Sequence, residues 1–168
     1  MWSKTRKAME ERLAPSLKGR VFYDFEYCRP HYCTEPPATS KCHCEFCSYH
    51  LFFRIVIDKQ EKVMIANSGV YYKSKCYPTD EEKRRKGPFE VADVTEAMHL
   101  YLNVYSIREC LNGENSLTYL FAVLNRRIGK RTVLKLYRDM EKEPQWIQRF
   151  IRLRAEAEGV LVLGSNPE

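Results

Sequence analysis

Five of the seven cysteines of this chain lie between Cys28 and Cys47, and this cluster limits how the N-terminal third can fold. Cys28 and Cys33 form one closely spaced pair, Cys44 and Cys47 form another, and Cys42 lies between the pairs. Zinc takes four soft or borderline ligands at tetrahedral corners, and each short spacing supplies two of them. The spacing therefore predicts a structural zinc site formed by Cys28, Cys33, Cys44 and Cys47, with Zn²⁺ as the only cofactor.

The redox setting expected for the chain also favours a metal. No apolar stretch of signal-peptide length follows Met1, so we expect a cytoplasmic protein, in a compartment where thiols stay reduced. Cys42 or His31 could replace one of the four ligands, and free or redox-active thiols are the alternative interpretation. A catalytic zinc is less expected, because the chain has no His-Glu-x-x-His motif and no deaminase signature.

The residues around the cysteines alternate as β-strands do. Residues 20–27 place apolar and polar side chains on opposite faces, and residues 51–57 and 63–72 are rich in β-branched and aromatic side chains. The polar residues 58–62 separate the second and third segments, as in a hairpin. We therefore predict a three-stranded antiparallel meander, preceded by a short helix, in which residues 28–50 form a zinc-clasped loop between the first two strands.

From Pro78 onward the apolar residues recur at helical spacing. Capping and stop signals predict six helices, at residues 79–86, 93–102, 106–113, 116–128, 130–142 and 144–158. The expected fold class is α+β, with residues 1–77 carrying the sheet and residues 78–168 forming a helical C-terminal lobe that shares its core as one compact unit. The longest apolar run, residues 51–57 with Arg54 excepted, is too short to cross a bilayer, so no membrane partner is expected.

A run of basic residues without any acid begins near the end of the fourth predicted C-terminal helix. Arg126, Arg127, Lys130 and Arg131 are its first members, in a chain with 28 basic and 22 acidic residues and a net charge of +6. Gly129 divides the run between two helices, and the N-terminus of a helix beside arginines and lysines can hold a phosphate. These four residues are the predicted site for an anion or nucleic acid.

Two structural alternatives exist for the same residues. Arg126 and Arg127 were expected in the last turn of a helix, where cations interact favourably with the helix dipole. The basic residues could also pair internally with acids further along the chain, together with Arg154. The acids considered are Asp139, Glu141, Glu156 and Glu158. The sequence leaves open whether this cluster is a binding site or an ion-pair network.

Four short segments carry a resemblance to a known family. They are Met1-Trp2-Ser3-Lys4, Pro15-Ser16-Leu17-Lys18-Gly19-Arg20-Val21, Arg126-Arg127-Ile128-Gly129-Lys130-Arg131 and Arg154-Ala155-Glu156-Ala157-Glu158-Gly159. They resemble landmarks of a small uncharacterised bacterial family whose members are sometimes labelled "non-histone protein". The resemblance implies a bacterial or phage source and no established activity. The cysteine cluster is not among these landmarks.

The function expected from these features is binding. The best prediction is a zinc-stabilised binding module whose basic helical surface takes nucleic acid or another anionic partner. The alternative is a protein–protein interaction factor, related to phage or bacterial defence, that uses the zinc loop. An enzyme is the least expected class, and no organic cofactor is predicted, because no nucleophile–base pair, paired catalytic carboxylates or cofactor loop can be identified.

Overall fold

The computed structural model describes residues 2–28, 50–67 and 89–160, and the structural statements below concern those residues. Helix α1 (Trp2–Glu11) and a short 3-10 turn (Pro15–Leu17) precede strands β1 (Val21–Cys28), β2 (His50–Ile57) and β3 (Glu61–Asn67). The helices α2 (Val91–His99), α3 (Ile107–Asn112), α4 (Ser116–Val123), α5 (Lys130–Arg138) and α6 (Gln145–Ala157) follow. A π-helix (Leu100–Val104) continues α2, and a 3-10 turn (Met140–Lys142) follows α5. The α+β class is confirmed.

The three strands form an antiparallel sheet in the order β1-β2-β3, as the alternating pattern predicts. Val21 lies opposite Ile57 at one end of the first pair, and Cys28 lies opposite His50 at the other. The β2–β3 turn is shorter than expected, because β3 already begins at Glu61. Asp58 and Lys59 have φ angles of 50° and 61°, the left-handed conformations that a tight hairpin turn requires.

Three helix boundaries differ from the prediction. α2 begins at Val91, where Glu90 and Asp93 form the capping box, instead of at an Asp93–Glu96 pair. α4 ends at Val123 and not at 128, because the following residues pair with the segment after α1: Asn125 forms a β-bridge with Leu13. The helix expected over 130–142 ends at Arg138 and is followed by the separate 3-10 turn. The predicted helix 79–86 lies outside the described residues.

The core is built around α4, in which every residue is buried. Phe121 of α4 contacts the sheet through Tyr23, at 6.1 Å between ring centroids, and the π-helix through Tyr101, at 5.6 Å. α6 adds Phe150, and α1 adds Met9, to the same buried cluster. Burial of this apolar surface is the main stabilising term for the fold. In the described parts of the chain, no helix is long and apolar enough to cross a membrane.

Candidate functional site: a braced basic loop

The predicted zinc site falls almost entirely outside the described residues. Cys28 is the last residue of β1 and lies opposite His50, the first residue of β2. The segment that connects them therefore starts and ends at the same end of the sheet. The other predicted ligands and their substitutes, Cys33, Cys44, Cys47, Cys42 and His31, lie in the part that is not described. Within residues 2–28, 50–67 and 89–160, no group of three or more potential ligands could hold a metal ion. The zinc-clasped loop therefore stays a prediction.

The four predicted anion-binding residues lie on one short stretch of the surface. We call Arg126, Arg127, Lys130 and Arg131 the basic cluster, and residues 124–129, which connect α4 to α5, the basic loop. All four side chains are exposed. Among the described residues, none of the four side chains forms an ion pair or a hydrogen bond. The cluster therefore presents four positive charges that no acid in the described part of the chain neutralises.

Among the described residues, the cluster has neither of the two structural roles expected as alternatives. Arg126 and Arg127 follow the end of α4 instead of occupying its last turn. Three of the four acids expected to pair with the cluster have other partners: Asp139 pairs with Lys142 at 2.5 Å, Glu156 with Arg20 at 3.6 Å, and Glu158 with Arg154 at 3.2 Å. The predicted ion-pair network thus exists only in part, and it does not include the basic cluster.

The backbone of the basic loop is fixed by the segment after α1. The amide of Ala14 donates to the carbonyl of Leu124 at 3.0 Å, and the amide of Arg126 donates to the carbonyl of Arg12 at 2.8 Å. The buried side chain of Asn125 accepts from the amide of Arg127 at 2.7 Å. Each bond removes conformational freedom from the residues that carry the basic side chains. The loop is therefore rigid before any partner arrives.

Asn125 and Arg12 connect the basic loop to the π-helix. The Asn125 amide donates to the Tyr101 hydroxyl at 2.5 Å. The Arg12 guanidinium donates to the carbonyls of Tyr101 and Leu102, at 2.9 and 2.7 Å, and lies 5.3 Å from the centroid of the Tyr101 ring. Burial raises the pKa of Tyr101 to about 12, although Asn125 and Arg12 act in the opposite direction. The hydroxyl therefore stays protonated at neutral pH.

Arg154 supports the basic loop from the interior. Only 2% of the residue is exposed, and its Nη2 donates to the carbonyl of Ile128 at 3.0 Å and, at 3.5 Å, to that of Asn125. Glu158 pairs with it and also accepts a hydrogen bond from Ser16 at 2.8 Å. Burial lowers the pKa of Arg154, and the charge of Glu158 counteracts this. Its Nε and Nη1 atoms have no hydrogen-bond partner among the residues that the structure describes.

Three of the four landmark segments of the sequence thus meet at this point. The segment 154–159 supplies Arg154 and Glu158, the segment 15–21 supplies Ser16, and the segment 126–131 supplies the carbonyl of Ile128. The sequence suggested Arg154 as one member of a network, but it gave no indication of Arg12, Asn125 or Tyr101. No local pattern could have identified them, since Arg12 and Tyr101 are 89 positions apart.

The start of α5 adds a second favourable element for anions. Gly129 is the N-cap and provides no side chain, and its carbonyl accepts from the amides of Thr132 and Val133. The amides of Lys130 and Arg131 belong to the first turn, where no intrahelical acceptor exists. The positive end of the helix dipole therefore coincides with the two basic side chains of the same residues. A phosphate group at this position would interact with both the helix N-terminus and the two basic side chains.

A second charged surface lies at the end of the sheet that carries the β2–β3 turn, and it differs from the basic cluster because it contains ion pairs. Arg20 binds Asp58 through two hydrogen bonds, at 2.8 and 2.9 Å, and Arg149 of α6 pairs with Glu61 of β3. The hydrogen bond from Arg20 is the main reason why the pKa of Asp58 lies below its ordinary value. These residues line an open polar cleft of about 600 Å³ between the hairpin and α6. Arg20 and Arg149 thus have partners within the protein, whereas Arg152, which also lines the cleft, is exposed.

Fold and site together define a small α+β protein whose accessible chemistry, within the described residues, centres on an exposed basic loop. The model of the SF0329 protein family matches residues 1–155, nearly the whole chain, and the chain therefore belongs to that family. No curated protein and no solved structure matches it.

Proposed function

We propose that this protein is a binding module that takes nucleic acid on its basic cluster. The observation that carries the proposal is the combination of four exposed cations without acidic partners, among the described residues, and a loop backbone held from three sides. Phosphate contacts of this kind supply affinity without reading sequence, and a rigid loop lowers the entropic penalty of forming them. Binding is therefore expected to be sequence-independent and strongly dependent on salt.

A titration of the full-length protein against fluorescently labelled duplex DNA and RNA tests this proposal, with anisotropy as the readout. The variant carrying Lys130→Gln and Arg131→Gln should bind more weakly, and the slope of log affinity against log salt should fall by about two, since each lost phosphate contact removes about one. The matched control is Lys4→Gln with Lys7→Gln, which removes the same charge from exposed positions on α1.

The control separates a site from a general charge effect. Equal losses in both double variants would show that net charge, and not the basic cluster, is responsible. Absence of binding to either nucleic acid at low salt would exclude the proposal, and the partner search would then turn to the protein–protein alternative. No observation on the described residues favours that alternative over nucleic acid.

Zinc is the second element of the proposal and rests on the cysteine spacing. Cys28, Cys33, Cys44 and Cys47 would hold one structural ion, with Cys42 or His31 as substitutes, and so anchor the segment that starts and ends at one end of the sheet. Zinc content per chain, measured on reduced protein purified without added metal, tests this. One equivalent and a lower melting temperature after chelation are expected. Metal-free protein with unchanged melting would overturn the zinc proposal while leaving the basic cluster untouched.

A further inference from the structure

A cleft of about 570 Å³ opens between α1, the sheet and α2. Its walls are mostly apolar, and the apolar side chains that line it are Trp2, Phe25, Leu51, Val91, Met98 and Leu102. Trp2 and Phe25 meet edge to face, with ring centroids 4.2 Å apart. The volume lies within the range of pockets for small organic molecules.

One wall of the cleft is formed where α2 changes into the π-helix. The amide of Tyr105 donates to the carbonyl of Leu100 at 2.8 Å, a five-residue spacing in place of the usual four. This wider turn carries Leu102 and Asn103, and His99 directly precedes it. Because Arg12 binds the carbonyls of Tyr101 and Leu102 from the other side, the wall is held in place without a ligand. Such π-turns frequently accompany functional sites.

The polar groups of the cleft are few and uncharged. His99 and Asn103 lie 3.2 Å apart, measured from the ring Nδ1 to the amide Nδ2, and Thr5 and Thr95 complete the polar part of the lining. Within residues 2–28, 50–67 and 89–160, no lysine, arginine, aspartate or glutamate lines the cleft. A charged ligand would lose its hydration here without compensation. A docked peptide backbone would likewise find too few partners for its amides and carbonyls.

We propose that this cleft binds a small, neutral, largely apolar and planar molecule that carries one hydrogen-bonding group. The apolar body lies against Trp2, Phe25 and Leu102, and the polar group reaches the His99–Asn103 pair. With His99 Nδ1 accepting from Asn103, the ring carries its proton on Nε2, which can donate to that group, and the Asn103 carbonyl oxygen can accept from it. This proposal does not rest on nucleic-acid binding at the basic cluster.

Trp2 provides a direct probe of the cleft. The chain has two tryptophans, so the variant Trp146→Phe leaves Trp2 as the only fluorescent indole. The neutral dye N-phenyl-1-naphthylamine, which has two apolar ring systems and one N–H donor, serves as the ligand. We expect saturable quenching of Trp2 fluorescence with one dye bound per chain. Linear quenching without saturation, or none up to the solubility limit of the dye, would overturn the proposal.

Two further variants in the same background locate the dye. Thr95→Phe fills the cleft from an exposed position of α2 and should weaken dye binding about tenfold, an effect of about 1.4 kcal/mol. The control, Met64→Ser, removes an exposed apolar side chain outside the cleft and should leave the affinity unchanged. A loss in the control, or unaltered binding in Thr95→Phe with an unchanged melting temperature, would place the dye elsewhere and exclude the cleft.

Discussion

Two groups of cations on this protein have the same chemistry and opposite surroundings. At the hairpin end of the sheet, Arg20 and Arg149 pair with Asp58 and Glu61, which belong to other elements. At the basic loop, the cluster has no such partner among the described residues, although the loop beneath it is held by several hydrogen bonds. Internal partners mark a cation as part of the fold. A surface that binds an external anion requires cations that are not paired internally and a rigid backbone that holds them in position.

The largest expected effect concerns Arg154, the cation that belongs to neither group because it is buried. Arg154→Met leaves Glu158 without its partner and removes the donor to the carbonyls of Ile128 and Asn125. We expect a loss of about 2–3 kcal/mol in the free energy of unfolding, measured by urea denaturation. This loss is smaller than the loss expected for a buried arginine whose hydrogen bonds are all satisfied, because Nε and Nη1 of Arg154 have no hydrogen-bond partner within the described residues.

Two companions of this variant sharpen the result. Arg154→Met combined with Glu158→Gln should recover part of the loss, since removing both charges leaves no uncompensated ion in the interior. Arg152→Met changes an exposed arginine on the same helix and should stay within about 0.5 kcal/mol of the unaltered protein. If Arg154→Met behaved like Arg152→Met, Arg154 would not be the support of the basic loop.

Tyr101→Phe should produce an intermediate effect. It deletes the acceptor of the buried Asn125 amide, and a buried donor without a partner costs about 1–3 kcal/mol. We also expect weaker nucleic-acid binding, because Asn125 positions the amide of Arg127, even though no cation is removed. Tyr105→Phe removes a hydroxyl from a more exposed tyrosine and serves as the control. Unchanged stability in Tyr101→Phe would show that the bond to Asn125 contributes nothing.

The smallest effect is expected at the hairpin end of the sheet, where Arg20 is paired, and it appears mainly at acidic pH. Arg20 holds the pKa of Asp58 below its ordinary value of 3.8 in the folded state. The stabilisation is therefore fully present above that value and is lost as the pH falls through the lowered pKa. Arg20→Gln should lower the melting temperature slightly at neutral pH and reduce its dependence on pH below about pH 4.

The comparison with the basic loop completes that measurement. Arg126→Gln with Arg127→Gln should leave both the melting temperature and its pH profile unchanged, because these side chains stabilise nothing within the described protein. If this pair destabilised the fold as much as Arg20→Gln, the distinction between the two groups of cations would fail.

The sheet could be predicted from the sequence because its signals are local. Alternation over residues 20–27 and the β-branched run at 51–57 specify strands, and the polar residues between β2 and β3 specify the turn. Ser106 with Glu109 likewise predicted α3 through a capping box that the structure contains. These signals lie within a few residues of the feature that they determine.

The end of α4 could not be predicted, because the apolar spacing continues through Leu124 and Ile128 while the helix does not. What ends the helix is the pairing of residues 124–126 with residues 12–14, a contact between distant parts of the chain. For the same reason the cations of the candidate site were predicted, whereas of their supports only Arg154 was suggested, and that as a member of an ion-pair network. Clustered charge is visible in one stretch of sequence, whereas Arg12, Tyr101 and Arg154 reach the loop only in the folded protein.

Tyr101 has a consequence for how the two proposed sites relate to each other. The π-helix that carries it forms a wall of the apolar cleft on one side and binds Asn125 and Arg12 on the other. A molecule in the cleft and an anion on the basic loop would therefore act on the same peptide segment. Any coupling between them must be reciprocal: the factor by which the first changes the affinity for the second equals the factor in the reverse direction. Communication between the sites would need no hinge and no second domain, only a displacement of one turn of helix.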